Sequence, residues 1–160
     1  MKSFYTFLRY TFVSPEFLVL ISGIALLMFC PSWFLWLSQR IGHQAELLKY
    51  FGLLPAGLVV YDSKITKDLL FPSADKKTVL QNWQFYWKLK WGVAVGFLYG
   101  IAFAVAGLGA LLFDWQSPAP VQSAMLITSV IGALTVSATL YLAQIKIEEL
   151  FRQCSCQTHL

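Results

Sequence analysis

Four apolar stretches constrain this chain more than any other feature, because each approaches or exceeds the roughly 20 residues an α-helix needs to cross about 30 Å of hydrocarbon. Phe17 to Leu37 runs 21 residues without a charge, Trp91 to Phe113 runs 23 and Val121 to Leu142 runs 22. Leu47 to Tyr61 is shorter, 15 residues free of acids, with Lys49 near its start and Pro55 in its middle. It reads as a short, kinked span or as a re-entrant hairpin. Composition agrees: 58% of residues are hydrophobic and 12% charged, about half the ~25% charge of soluble domains. A soluble core would leave much of this apolar surface exposed. No Gly/Ser-rich or Pro-rich linker divides the 160 residues, so they read as one unit. The fold expected is an all-α membrane protein, a bundle of about four transmembrane helices with a cytosolic interfacial amphipathic helix. Its single domain has spans at 17–37, 47–61, 91–113 and 121–142, a cytosolic loop at 62–90 and a cytosolic tail at 143–160.

Charge distribution then orients the chain, since basic short loops are retained in the cytoplasm. With four crossings, Lys2, Arg9, Lys64, Lys67, Lys76, Lys77, Lys88, Lys90, Lys146 and Arg152 share one side, ten of the twelve basic residues. Arg40 and Lys49 fall outside, and the turn Asp114 to Pro120 has no basic residue. Were the second stretch not to cross, the six-lysine segment would share a side with Arg40, opposite the N-terminus; the four-span topology is preferred. Both termini are thus expected in the cytoplasm and the protein in the inner (plasma) membrane. The first apolar run is too long for a signal peptide, and Cys30 follows Leu27-Met28-Phe29 rather than small residues, so an uncleaved anchor is expected. Cys30, Cys154 and Cys156 support no disulfide framework.

Residues Met1 to Val13 mix aromatics with Lys2 and Arg9, suited to the headgroup layer. Ser14-Pro15-Glu16 has the chemistry of a helix start. Pro31 is placed to kink the first span, and Trp33 and Trp36 match the aromatic belt of the far interface. In the polar segment, Phe71-Pro72-Ser73 reads as a stop and N-cap, followed by a helix from Lys77 to Trp91. Leu80, Trp83, Trp87 and Trp91 share one face of it, and Lys76, Lys77, Lys88 and Lys90 bring charge to anionic headgroups or to a partner. Aromatic and basic residues together also bind single-stranded nucleic acid. The direct junction with a span makes the membrane interface the preferred explanation, and no direct nucleic-acid contact is expected.

Gly92, Gly96, Gly100 and Ala104 recur every four residues, a small-xxx-small ridge that lets helix backbones approach closely in lipid. The ridge suits packing within the chain and packing between subunits, and a homo-oligomer is expected. Thr128, Gly132, Thr135 and Thr139 share a face of the fourth span, suited to close packing or to the wall of a narrow polar pore. No carboxylate, lysine or histidine lies in the middle of the first, third or fourth stretch, which argues against ion-coupled transport. Glu16, Asp62, Asp114 and Lys49 all fall at expected interfaces. Cys154, Cys156 and His159 form a weak C-x-C-x-x-H cluster in a tail expected to be unstructured, and no metal or other cofactor is assigned. No P-loop, GxGxxG, HExxH or GxSxG pattern occurs, so no enzyme is expected.

Three functions fit this pattern: a membrane sensor, effector or scaffold with a cytosolic protein partner; a gated pore; and, third, a small-solute transporter. In overall plan the chain resembles the small four-span membrane components of bacterial antiphage systems, such as the Kiwa membrane subunit or retron-linked membrane effectors. The resemblance rests on size, four spans with both ends inside, and a loop reading Leu70-Phe71-Pro72 followed by Trp83-Gln84-Phe85-Tyr86-Trp87-Lys88. It implies a cytosolic partner encoded alongside, and sensing of, or damage to, the membrane during infection.

Overall fold

The computed structural model describes residues 14–42, 45–71, 86–112 and 120–157, and all regular structure among them is helical. Five helices follow in order: α1 Pro15–Phe29, α2 Pro31–Gly42, α3 Ala45–Leu70, α4 Tyr86–Leu112 and α5 Pro120–Gln157. α1 begins where the sequence places a helix start. Ser14 holds extended backbone, its Oγ accepts from the Phe17 N–H at 3.2 Å, and Pro15 occupies the first turn, where a missing N–H costs nothing.

The first apolar run is not one helix. It breaks at Cys30, and α1 and α2 meet at 95°. Pro31 excludes the preceding residue from helical backbone and has no N–H to continue the ladder. Cys30 accordingly sits at φ −132°, ψ 55°, while its own N–H closes the last turn on Leu26 at 2.8 Å. The kink expected at Pro31 is thus a right-angled corner, and the 15 residues of α1 reach only about 22 Å.

Side-chain neighbours give the directions of the helices. Along α5, Ser123, Thr128 and Thr139 meet Phe34, Gly23 and Glu16, so α1 runs antiparallel to α5. Gly107 and Gly100 of α4 meet Pro55 and Val59 of α3, and Ser129 and Val136 of α5, so α4 is antiparallel to both. The result is an up-down-up-down bundle of α1, α3, α4 and α5. Residue 14, Leu70, Tyr86 and the end of α5 lie at one end of it, here the loop end. Phe29, Ala45, Leu112 and Pro120 lie at the other, the turn end.

α4 and α5 are long and apolar enough to cross a membrane, and the bent pair α1–α2 adds a third candidate if it counts as one span. α3, 26 residues long, does not qualify, because Glu46, Lys49, Asp62, Lys64, Lys67 and Asp68 crowd its ends. It nonetheless lies along α4 over much of its length. The Gly52 carbonyl and the Pro55 ring come within 3.1 and 3.2 Å of where a Gly107 side chain would begin, closer than most Cβ atoms sit to a neighbour. The tail departs from expectation too. α5 continues unbroken to Gln157, so residues 143–157 are helical, not unstructured, and its 38 residues extend about 57 Å.

Candidate functional site

Three of the four ridge residues are spent inside the chain. Gly96 faces the Glu16 carboxylate, with Oε1 3.9 Å from the site of an added Cβ. Gly100 faces Val136 at 3.3 Å and Val59 at 3.5 Å, and Ala104 is 8% exposed. Gly92 differs: it is exposed, and an added Cβ would meet nothing within 4 Å.

The polar face of α5 is also occupied from within. Thr128 presses on Gly23 of α1, and Gly132 holds the Phe103 ring of α4 where a side chain would otherwise stand. Thr135 is half-buried and donates to the Ile131 carbonyl at 2.8 Å. Thr139 donates to Glu16 Oε1 and is within 2.8 Å of the Val136 carbonyl as well. These hydroxyls answer their own helix or a neighbouring one.

At the loop end two carboxylates are packed inside. Glu16 is 3% exposed and Asp62 1%, and each is held by a hydroxyl two residues from the other on α5. Thr139 Oγ1 donates to Glu16 Oε1 and Ser137 Oγ to Asp62 Oδ2, both at 2.8 Å. Ser137 and Thr139 point to different sides of α5, so one short stretch clasps α3 on one side and α1 on the other. Tyr99 of α4 hydrogen-bonds the Ser14 side chain beside Glu16. Asp62 Oδ1 and Thr66 Oγ1, one helical turn apart, are buried with no hydrogen-bond partner among the described residues. Sequence reasoning set both acids at the interface but did not foresee their burial. The available signal was the pair of hydroxyls at the matching end of the fourth span.

Beyond the clasps, among the described residues, α3, α4 and α5 continue together. Ile65 and Leu69 of α3, Val93 of α4, and Leu140 and Ile147 of α5 form one buried cluster, with Leu70, Tyr86 and Leu89 packed on it. Tyr86 Oη donates to the Leu69 carbonyl at 3.4 Å, tying α4 to α3. No family model, curated protein or solved structure matches this chain. The basic-aromatic cluster is present here in part. Trp87 is exposed and stands edge-on to Trp91, centroids 5.7 Å apart; Lys90 lies 4.8 Å from the Tyr86 ring centroid, and Lys88 is exposed. Lys76, Lys77 and Trp83 lie outside the described residues, as do Met1 to Val13, residues 113–119 and His159. Of Cys154 and Cys156 the backbone alone is described, as helix. No cluster with metal-ligand character occurs among the described residues.

Proposed function

We propose that this chain is a small oligomeric inner-membrane protein that engages a soluble cytosolic protein, as a sensor, effector or scaffold. In this reading α1, α3, α4 and α5 are the four spans, both termini and the 62–90 loop face the cytoplasm, and the loop end is the working end. The observation that carries the reading is the extension of α5 past its clasps. α5 continues 18 residues past Thr139, about 27 Å, and its first turns there are packed through Ile147 onto α3 and α4. Lys146, Glu148 and Glu149 stand exposed on that extension, and Trp87 and Lys88 stand exposed on α4, whose Tyr86 and Leu89 pack on the same core as Ile147. A rigid, charged helical platform next to a basic amphipathic segment suits a protein partner and anionic headgroups. The resemblance to antiphage membrane components supplies a setting, in which the partner is encoded beside the chain and infection is the trigger.

A pore lined by Thr128, Gly132, Thr135 and Thr139 would require α5 to release α1 and Phe103. Two measurements separate the readings. The first is ion flux through liposomes holding the purified chain, with and without cell lysate. The second is photocrosslinking from Ile145 in native membranes, compared with a variant in which Lys76, Lys77, Lys88 and Lys90 are all glutamine. Silent liposomes and one discrete crosslinked protein, lost in the lysine variant, support the platform. Sustained flux that Thr135→Leu lowers several-fold, with assembly intact, replaces it with the pore.

A further inference from the structure

α2 is the part of the chain that neither the bundle nor the α5 extension explains. It turns 95° from α1, and α1 is antiparallel to α5, so α2 lies across the spanning direction. Its height is fixed as well: Ser123 Oγ, in the first turn of α5, donates to the Phe34 carbonyl at 2.8 Å. Phe34 and Ser38, 2% and 1% exposed, form the face held against the bundle. The opposite face presents Trp33 at 51% and Trp36 at 53%, and the Arg40 guanidinium sits 5.4 Å from the Trp36 ring centroid.

We propose that α2 is a lipid-surface helix lying in the headgroup layer of the leaflet at the turn end, and not a continuation of the first crossing. Its occupant is phospholipid. Indole rings partition to the boundary between acyl chains and headgroups, and a guanidinium beside them meets the phosphate level. Charge is matched, since Arg40 extends toward the one anionic group that every phospholipid places at that depth. Geometry is matched too, because a helix at the level of the first turn of α5 and perpendicular to α1 keeps all its residues at one depth. α1 is then a short leg of about 22 Å, which draws the leaflet toward the bundle beside it.

The proposal rests on the bundle being membrane-spanning, and the experiment reads that separately. Spin labels are placed singly at residues 32, 35, 39 and 105 of the full chain, with Cys30, Cys154 and Cys156 replaced by serine, in phosphatidylglycerol/phosphatidylethanolamine liposomes. Depth is read from collisions with oxygen and with an aqueous nickel chelate, and headgroup proximity from relaxation of lipid phosphorus. The labels on α2 are expected at one depth within about 3 Å, each relaxing lipid phosphorus several-fold more than the label at 105. A helix continuing inward would separate 32 from 39 by about 10 Å, and that gradient overturns the proposal. Uniform labels with the nickel access of free water overturn it as well, pointing to a soluble or protein-covered helix. A water reading at 105 overturns the spanning bundle itself. Trp33→Ser with Trp36→Ser is expected to raise nickel access at 39 at least two-fold, and no change removes the indoles as anchors.

Discussion

Glu16 and Asp62 are acids that a hydropathy reading leaves in water, yet both are enclosed by helices. A carboxylate removed from water is tolerated when hydrogen bonds replace its hydration. Here α5 supplies them, through Thr139 and Ser137. Ser137→Ala would leave both Asp62 oxygens without a partner among the described residues, and a buried acceptor stripped in this way costs about 1–3 kcal/mol. The expected outcome is a lower melting temperature in detergent, with most of the loss absent when Asp62 is already asparagine. Equal losses in the two backgrounds would show that the two side chains are not coupled. The glycines divide in the same residue-by-residue way. Gly132→Leu drives a side chain into the Phe103 ring and is expected to abolish the folded monomer, whereas Gly92→Leu meets open space and is expected to leave it intact. If Gly92→Leu instead dissociates an oligomer, read by light scattering of the detergent complex, the exposed end of the ridge lies between subunits.

Whole helices carry the next level of constraint. Proline has opposite consequences in two of them. Pro31 breaks the helix at Cys30 through its steric demand on that residue, and the packing of α2 on α5 then fixes the turn at 95°. Pro55 lies inside α3, where close packing against Gly107 holds the helix continuous from Ala45 to Leu70. The α5 extension is likewise an element held by one anchor. Ending the chain after Leu142 removes Ile147 from its contacts with the α3 side of the core, and burial of such a side chain is worth about 1.5–3 kcal/mol. Ending it after Glu149 spares that contact. The chain ending at Leu142 is expected to lose several degrees of melting temperature and the chain ending at Glu149 to lose none, so only the latter tests partner binding without unfolding this end of the bundle.

For the whole molecule the decisive quantity is the number of crossings. α4 and α5 have the length and composition of spans, and α3 owes its place in the bundle to packing on α4, not to its own hydropathy. Single cysteines at Lys76 and Gln116, in a background free of the native three, report the topology directly. With four spans, a membrane-impermeant maleimide is expected to modify position 76 in inverted vesicles and position 116 in intact spheroplasts. Modification of both positions from the same side would leave α4, the helix between them, without a crossing.

Hydropathy and charge are sums over single residues, each set by partition of one side chain between water and lipid. The helical character of this chain and the apolar stretches within α4 and α5 were therefore legible from the sequence alone, whereas the continuation of α5 to Gln157 was not. Pro31 was legible as a point of weakness, since the clash with its predecessor is local. What α5 touches was not legible, because it depends on how each helix is rotated about its axis. That rotation places Gly96 on Glu16, Gly100 between Val59 and Val136, and Thr139 against α1. The small-residue ridge and the hydroxyl face each suited a seam within the chain as well as one outside it. Tertiary packing used the hydroxyl face and Gly96, Gly100 and Ala104 within, left Gly92 exposed, and set the corner at Cys30 to a right angle by holding the Phe34 carbonyl on Ser123.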